Sequence, residues 1–408
     1  MNSGPVGDVA ALNADNDAPM EQISNSQLQD SRQQWPALMG RAMELAARVL
    51  SAHPNPRVGC VLEKQGRIIA EGWHEAPGLP HAEAMALAMA GEQAAQATVF
   101  VTLEPCSHHG RTGPCSEALI RAGVAEVVIA GLDPNPRVSG QGVAALEQAG
   151  IRVWQLSDFE APARALNPGY FKRREQSMPL VRLKAAMSLD GRTAMANGEA
   201  RWITGAEARA DVQRLRLASD AIVTGVNTIL LDDPSLNVRP ENLAFTAAEA
   251  KANSQLLRRQ PLRVILDSQL RTPAAARTLG IEGQCLIYTT AEAAGSRSHL
   301  AKAELHSVPS ESGRVRLASV LESLARDHEC NEVLVEAGPT LGGAFVRAGL
   351  VDEIIVYMAP KILGSDAKPL LEVAGFKSLD HCIELECRDV RQVGQDVRLL
   401  YRPIRKKG

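Results

Sequence analysis

Four side chains near the start of the sequence could do chemistry together: His81, Glu83, Cys106 and Cys115. One imidazole and two thiols are zinc ligands, and three protein ligands leave the fourth tetrahedral position open, as a catalytic zinc requires. Glu83 follows His81 by two residues and can carry protons without being a ligand. On an ideal helix the two stand about 200° apart, so they cannot share a side face. Helical side chains lean toward the N-terminus, however, so both can reach a point just beyond that end. Cys115 follows Pro114 at the expected start of another helix. Helix N-termini also favour thiolates over thiols. Zinc makes its water acidic enough to attack near neutral pH. Glu83 would take the water proton and pass protons to a ring nitrogen and to departing ammonia. The chemistry is hydrolytic loss of an amino group from an amidine-like carbon. The interval Ser107–Pro114 is polar and holds His108, His109 and Arg111, which suit a heterocycle and a phosphate. His108 or His109 as a fourth ligand would instead make a closed structural site.

A second group lies near the end. Val335-Glu336-Ala337-Gly338-Pro339-Thr340-Leu341-Gly342-Gly343 follows an apolar strand and opens a helix. Backbone N–H groups at a helix start suit a pyrophosphate. Gly342 and Gly343 would allow its close approach, or would serve packing alone. No G-x-G-x-x-G follows the first strand of this half, so the usual dinucleotide fingerprint is missing. Ser188-Leu189-Asp190-Gly191-Arg192 also follows a strand. Arg216 late in a helix and Arg239 in a loop suit a phosphate, although solvated or salt-bridged arginines are commoner.

The elements that must position these groups alternate. Leu38, Ala42, Leu45, Ala46 and Val49 have helical spacing. Strands at Val58–Leu62 and Arg67–Glu71 flank a hairpin turn at Lys64-Gln65-Gly66. Helix Ala82–Ala95, strand Thr98–Thr102, helix Ser116–Ala122, strand Glu126–Ala130, helix Gly140–Ala149 and strand Ile151–Trp154 follow. This order predicts a three-layer α/β domain over 35–158. Residues 1–34 are rich in Asn, Asp, Ser, Gln and Gly and read as a disordered extension. Residues 159–179 read as a link with one helical turn. A second α/β domain spans 180–404, with strands at Leu180–Met187, Asp220–Thr224, Leu262–Asp267, Cys285–Tyr288, Glu332–Glu336 and Asp352–Met358. Its helices are predicted at Ala206–Ala218, Arg314–Asp327 and Thr340–Ala348. Arg239–Gln260 reads as a surface insertion. Pro-Asn-Pro-Arg-Val occurs at Pro54–Val58 and again at Pro134–Val138, as two similar turns.

Composition narrows the class. The 408 residues are 45% hydrophobic and 22% charged, with net charge −3 and 3% aromatic residues. A nucleic-acid base deaminase would need a basic face with stacking aromatics, which this balance opposes. A non-catalytic zinc module would need a closed four-ligand site. Seven cysteines do not make a disulfide scaffold. The five outside the metal group, Cys60, Cys285, Cys330, Cys382 and Cys387, lie in or beside apolar runs and read as buried thiols. Without a secretory signal or a membrane-length apolar run, the expected home is the cytoplasm.

The H-x-E…P-C…C order resembles that of zinc-dependent nucleobase deaminases, with the two cysteines further apart than the usual C-x-x-C. His53-Pro54-Asn55-Pro56-Arg57-Val58-Gly59, His81-Ala82-Glu83 and Thr102–Thr112 together resemble the bifunctional riboflavin-biosynthesis deaminase/reductase family. Its expanded cysteine loop usually reads R-T-P-P-C, from which Gly113 departs. The resemblance implies a cytidine-deaminase-like α/β/α domain joined to a dihydrofolate-reductase-like α/β domain. It implies one zinc on His81, Cys106 and Cys115, Glu83 as proton shuttle, and Asn55 on the pyrimidine. Val181 to about Leu399 resembles the reductase half. There Ala186, Trp202, Thr228, Asp232, Ser268 and Gly338, Pro339, Thr340, Leu341, Gly342, Gly343 and Ala344 would contact NADPH. Ala200, Arg216, Leu236, Arg239 and Glu336 would contact the ribosyl substrate and its phosphate, with Lys184 near the reacting carbon. The implied substrate is a small phosphoribosylaminopyrimidine, and the implied assembly is a homo-oligomer.

Overall fold

The computed structural model describes residues 20–27, 32–108, 113–136, 138–290 and 300–404. The first half runs β1 (Glu21–Ile23), α1 (Trp35–Ala46), β2 (Gly59–Lys64), β3 (Arg67–Trp73), α2 (Ala82–Ala90), β4 (Thr98–Val101), α3 (Cys115–Ala122), β5 (Glu126–Ile129), α4 (Gln141–Gln148) and β6 (Arg152–Leu156). These strands form one sheet in the order β1-β6-β5-β4-β2-β3. Gln65 and Gly66 both take positive φ between β2 and β3, as a tight two-residue hairpin turn needs. Gly91, also at positive φ, ends α2 earlier than the expected Ala95.

Residues 1–34 are not wholly an extension without structure. β1 pairs in parallel with β6, and the Asn25 N–H donates to Asp158. The Arg32 guanidinium lies over the rings of Trp35 and Trp154. Three residues satisfying an open sheet edge need no hydrophobic period, so no pattern announced them.

The link is likewise more than one turn. It holds α5 (Glu160–Leu166) and α6 (Pro168–Gln176). Pro168 at the first helical position starts α6, where a missing N–H costs nothing.

The second half runs β7 (Leu180–Ser188), β8 (Arg192–Ala194), α7 (Ala206–Ala218), β9 (Ala221–Gly225), α8 (Val226–Asp232), α9 (Ala247–Ala252), β10 (Leu262–Leu266), β11 (Cys285–Thr290), β12 (Glu304–Val308), β13 (Ser310–Glu311) and β14 (Arg314–Val315). It continues through α10 (Leu317–Arg326), β15 (Glu332–Glu336), α11 (Pro339–Arg347), β16 (Glu353–Ala359), β17 (Lys368–Pro369), β18 (Leu385–Val393) and β19 (Asp396–Pro403). The large sheet has the order β12-β11-β10-β9-β15-β7-β16-β19-β18. It is parallel from β12 to β16, and β19 and β18 close it as an antiparallel hairpin. Central parallel strands covered on both faces read as unbroken apolar runs, and Val333–Val335 and Ile354–Val356 are all buried.

Two further expectations are corrected. The segment Arg239–Gln260 is not a plain surface insertion. Its Leu243 and Leu256 are buried with Leu217 and Val238 and pack against Leu50 of the first half. All seven cysteines are free, but Cys387 is exposed because β18 is a solvent-facing edge strand, and Cys382, after the turn Leu379–His381 that precedes that strand, is half-buried. No helix among the described residues is long and apolar enough to cross a membrane.

Candidate active sites

The first site gathers at two helix starts. Gly72 lets α2 lie on β3, since a Cβ there would stand 2.1 Å from the Ala82 carbonyl oxygen. That contact places His81, in extended backbone just before α2, and Glu83 in its first turn. Cys115 opens α3 directly after Pro114. His81 Nδ1 lies 3.5 Å from Cys106 Sγ and 3.3 Å from Cys115 Sγ. Two corners of a zinc tetrahedron, one N and one S, should stand roughly 3.5 Å apart. The three donors therefore fit zinc. Among the described residues no fourth His, Cys, Asp or Glu joins them. His108 is exposed and outside the group, whereas His109, Gly110, Arg111 and Thr112 lie outside the described residues.

Glu83 is only 4% exposed. Burial, then the charge of Cys106, pushes its carboxyl up to about 7, against the pull of His81. A hydrogen bond from Cys115, with others from His81 and the Cys115 N–H, holds the Cys106 thiol well below its ordinary range. The arrangement offers two soft donors, one nitrogen donor and one uncoordinated acid facing a single point.

Two residues that sequence reasoning missed hold this group in place. The buried Glu104 carboxylate accepts the backbone N–H groups of Asp133, Gly140, Gly142 and Val143 at 2.9–3.3 Å. It anchors Pro105-Cys106 to the start of α4; a glutamate inside the apolar run before Pro105 was the available signal. The buried His74 ring lies 3.1 Å from the Pro80 carbonyl oxygen through Nδ1 and 3.0 Å from Asn55 Nδ2 through Nε2. Burial lowers its basicity, so a neutral ring donates to Pro80 and accepts from Asn55. Asn55 is thereby tied to the residue preceding His81.

The second group lies along the C-terminal edge of the parallel strands, where open α/β sheets bind ligands. Lys184 and Ala186 sit on β7, Thr228 and Asp232 on α8 after β9, Ser268 after β10, and Glu336 at the end of β15. Arg216 donates to both Glu336 oxygens, at 2.6 and 2.9 Å, and to the Asn237 carbonyl at 3.0 Å. Lys184 is half-buried beside this pair, and desolvation lowers its pKa despite the attraction of Glu336. Arg239 is exposed, with its backbone N–H held by Gln213. The Leu236 side chain is buried in the core while its backbone takes φ 52°, so only its main chain can face a ligand. Ala200 and Trp202 share a loop; Trp202 is exposed, with Arg209 4.6 Å from its ring centroid. Ser268 Oγ accepts the Val315 N–H and its carbonyl accepts from Thr290, which ties Ser268 to its own neighbourhood.

The glycines of the α11 turn divide. A Cβ on Gly343 would stand 2.2 Å from the Glu372 carbonyl oxygen, and one on Gly342 3.0 Å from a Leu371 methyl. Close packing thus requires glycine at these two positions, the second of the two readings their spacing allowed. Around Gly338 nothing lies within 4 Å of a Cβ position, and the helix start at Pro339 and Thr340 forms the open cradle.

Residues 32–131 match the cytidine and deoxycytidylate deaminase zinc-binding region, and residues 179–399 match the RibD C-terminal domain. The riboflavin biosynthesis protein RibD of Escherichia coli is 46% identical over 362 residues, covering 88% of this chain and 97% of that protein. The chain belongs to the RibD family. Among solved structures, Acinetobacter baumannii RibD aligns at TM-score 0.82 and 42% identity, over 92% of this chain and all of that one. The Thermotoga maritima diaminohydroxyphosphoribosylaminopyrimidine deaminase/5-amino-6-(5-phosphoribosylamino)uracil reductase aligns at TM-score 0.77 and 30% identity, again over 92% of this chain. As a RibD, the protein is a bifunctional deaminase and reductase of riboflavin biosynthesis, with a zinc-binding cytidine-deaminase-like domain and a dihydrofolate-reductase-like domain that uses a nicotinamide cofactor.

Proposed function

We propose that the first site removes the 2-amino group of 2,5-diamino-6-(5-phosphoribosylamino)pyrimidin-4(3H)-one. The C–N bond breaks, water supplies the carbonyl oxygen, and ammonia leaves. His81, Cys106 and Cys115 would hold one zinc, which when bound makes water acidic enough to attack near neutral pH. Glu83 takes the proton of the attacking water and returns protons to the ring nitrogen and the leaving group. Asn55, oriented by His74, contacts the pyrimidine. The three-donor cluster with a buried, uncoordinated Glu83 beside it carries this reading.

The second site would reduce the ribosyl group of 5-amino-6-(5-phosphoribosylamino)uracil to ribityl. NADPH, when bound, supplies the hydride. Gly338, Pro339 and Thr340 would receive its pyrophosphate at the start of α11, with Leu341 and Ala344 on the same helix. Ala186, Trp202, Thr228, Asp232 and Ser268 would line the rest of the cofactor along the strand ends. Glu336, fixed by Arg216, would hold the ribosyl hydroxyls, and Arg239 the phosphate. Ala200 and the Leu236 main chain flank them, and Lys184 sits near the reacting carbon. A homo-oligomer in a reducing cytoplasm completes the proposal; the free cysteines support the compartment.

Coupled assays of ammonia release and NADPH oxidation on the diaminopyrimidine test it. Chelating the metal should abolish ammonia release while leaving NADPH oxidation on the deaminated intermediate intact. Ammonia release that survives complete metal removal would refute the zinc assignment.

A further inference from the structure

The Asn55 side chain is held by His74 of its own half, while the turn that bears it is held from the link and from the other half of the chain. Asp220 lies just before β9 of the reductase sheet and is buried. Its carboxylate lies 3.2 Å from His53 Nδ1, close enough to pair although not aligned for a hydrogen bond, and 3.2 Å from Arg259, and it accepts the backbone N–H groups of Asn331 and Glu332 at 2.7 and 2.9 Å. The next carbonyl, Pro54, accepts from Arg173 and from the Asn331 side chain, each at 3.2 Å. Arg173 also donates to Asn331 at 2.7 Å. Asn167, between α5 and α6, bonds both the N–H and the carbonyl of Arg57. Asn55 itself is thus bracketed by anchored residues on both sides.

Helix α6 supports the metal side as well. Its Tyr170 and Phe171 pack with Leu103 and Val58. The Tyr170 hydroxyl donates to Asp133, whose backbone N–H is one of those held by Glu104. One helix therefore braces the Asn55 turn and the loop behind Cys106 together. Arg173 and Asp220 meet Asn331 and Glu332 at the start of β15, which carries Glu336 roughly 13 Å beyond Glu332 along the strand.

We infer that Asp220 and Arg173, together with Asn331, are positioning residues for the deaminase, although all three lie outside its zinc-binding region. They set where Asn55 meets the pyrimidine, so the reductase half supplies part of the deaminase's substrate recognition. The inference rests on the assignment of Asn55 above. His74 fixes the Asn55 side chain relative to its turn, but a turn free to shift would carry both further than a hydrogen bond tolerates; Arg173 and Asn331 on the Pro54 carbonyl, with Asp220 beside His53, remove that freedom from outside.

The full-length, zinc-loaded chain tests this with Asn55→Ala, Asp220→Asn and Arg173→Gln. Each is assayed for ammonia release, zinc content and NADPH oxidation on the deaminated intermediate. All three should raise the deaminase KM by about tenfold, with kcat changing less. Zinc content and the reductase kinetics of Asp220→Asn and Arg173→Gln should stay within about twofold of the parent. If Asn55→Ala raises KM and neither anchor variant does, the inference is overturned while the Asn55 assignment stands. If Asn55→Ala leaves KM unchanged, that assignment falls and the inference with it. Should Asp220→Asn also lose zinc or reductase activity, Arg173→Gln decides: a KM rise confined to deamination supports the inference, and an unchanged KM overturns it.

Discussion

Glu83 and Arg216 are both buried acid–base partners, yet substitution should act on them differently. Glu83→Gln keeps the shape and the neighbouring ligands but cannot shuttle a proton. Deamination should fall by about 10²–10⁴-fold, with zinc retained and NADPH oxidation on the deaminated intermediate unchanged. Assays of the two half-reactions check this. Arg216→Ala strips both hydrogen bonds from the half-buried Glu336 and leaves only the charges of Lys184 and Arg239 near it, a loss of about 1–3 kcal/mol. The reductase KM should rise at least tenfold and the melting temperature should fall, while the deaminase KM holds. Sequence spacing sufficed to find both residues. It did not show that Arg216 directs two of its N–H groups to Glu336 rather than to a phosphate, because the partner lies 120 residues away.

At the scale of elements, α11 separates two roles that its glycine-rich start had merged. Gly343→Ala forces a Cβ into the Glu372 main chain, which cannot swing away as a side chain could. Thermal or denaturant unfolding should register a loss of about 1–3 kcal/mol. Gly338→Ala meets open space at φ −72°, so stability should hold. Any effect there should fall on the KM for NADPH. The alternation of apolar runs and helical periods was enough to place most strands and helices within a few residues. Five of those it missed share a cause: β1, β18 and β19 form edges or exposed hairpins, and α5 and α6 are polar on most of their surface. Each is stabilised by a partner distant in sequence, not by its own pattern.

Across the whole molecule, buried ion pairs make stability depend on acid. Burial pushes the Glu353 carboxyl up, but Arg182 and Arg402 outweigh it and hold the group below the usual carboxylate range. A carboxylate lowered by folding stabilises the native state above its unfolded pKa. That contribution is lost as pH falls through the lowered native value. Melting temperatures should therefore drop below about pH 4. Glu353→Gln should be less stable than the parent at neutral pH, with a shallower further loss in acid. The same lesson applies between the halves, where Asn253 bonds Leu50 and Arg48 of the first half from a segment that looked like loose surface.

Residue type and motif order pointed to the His81, Cys106 and Cys115 donor group that the fold brings together, with Glu83 two residues from His81, and the repeating local periods gave the alternating α/β plan. Tertiary structure alone decided which glycines pack against a neighbouring main chain, which arginine donors are already committed, and which residues of the second half reach the turn bearing Asn55. Those outcomes depend on groups brought together from well beyond any local period, such as Asp220 with His53, and no local pattern encodes the meeting.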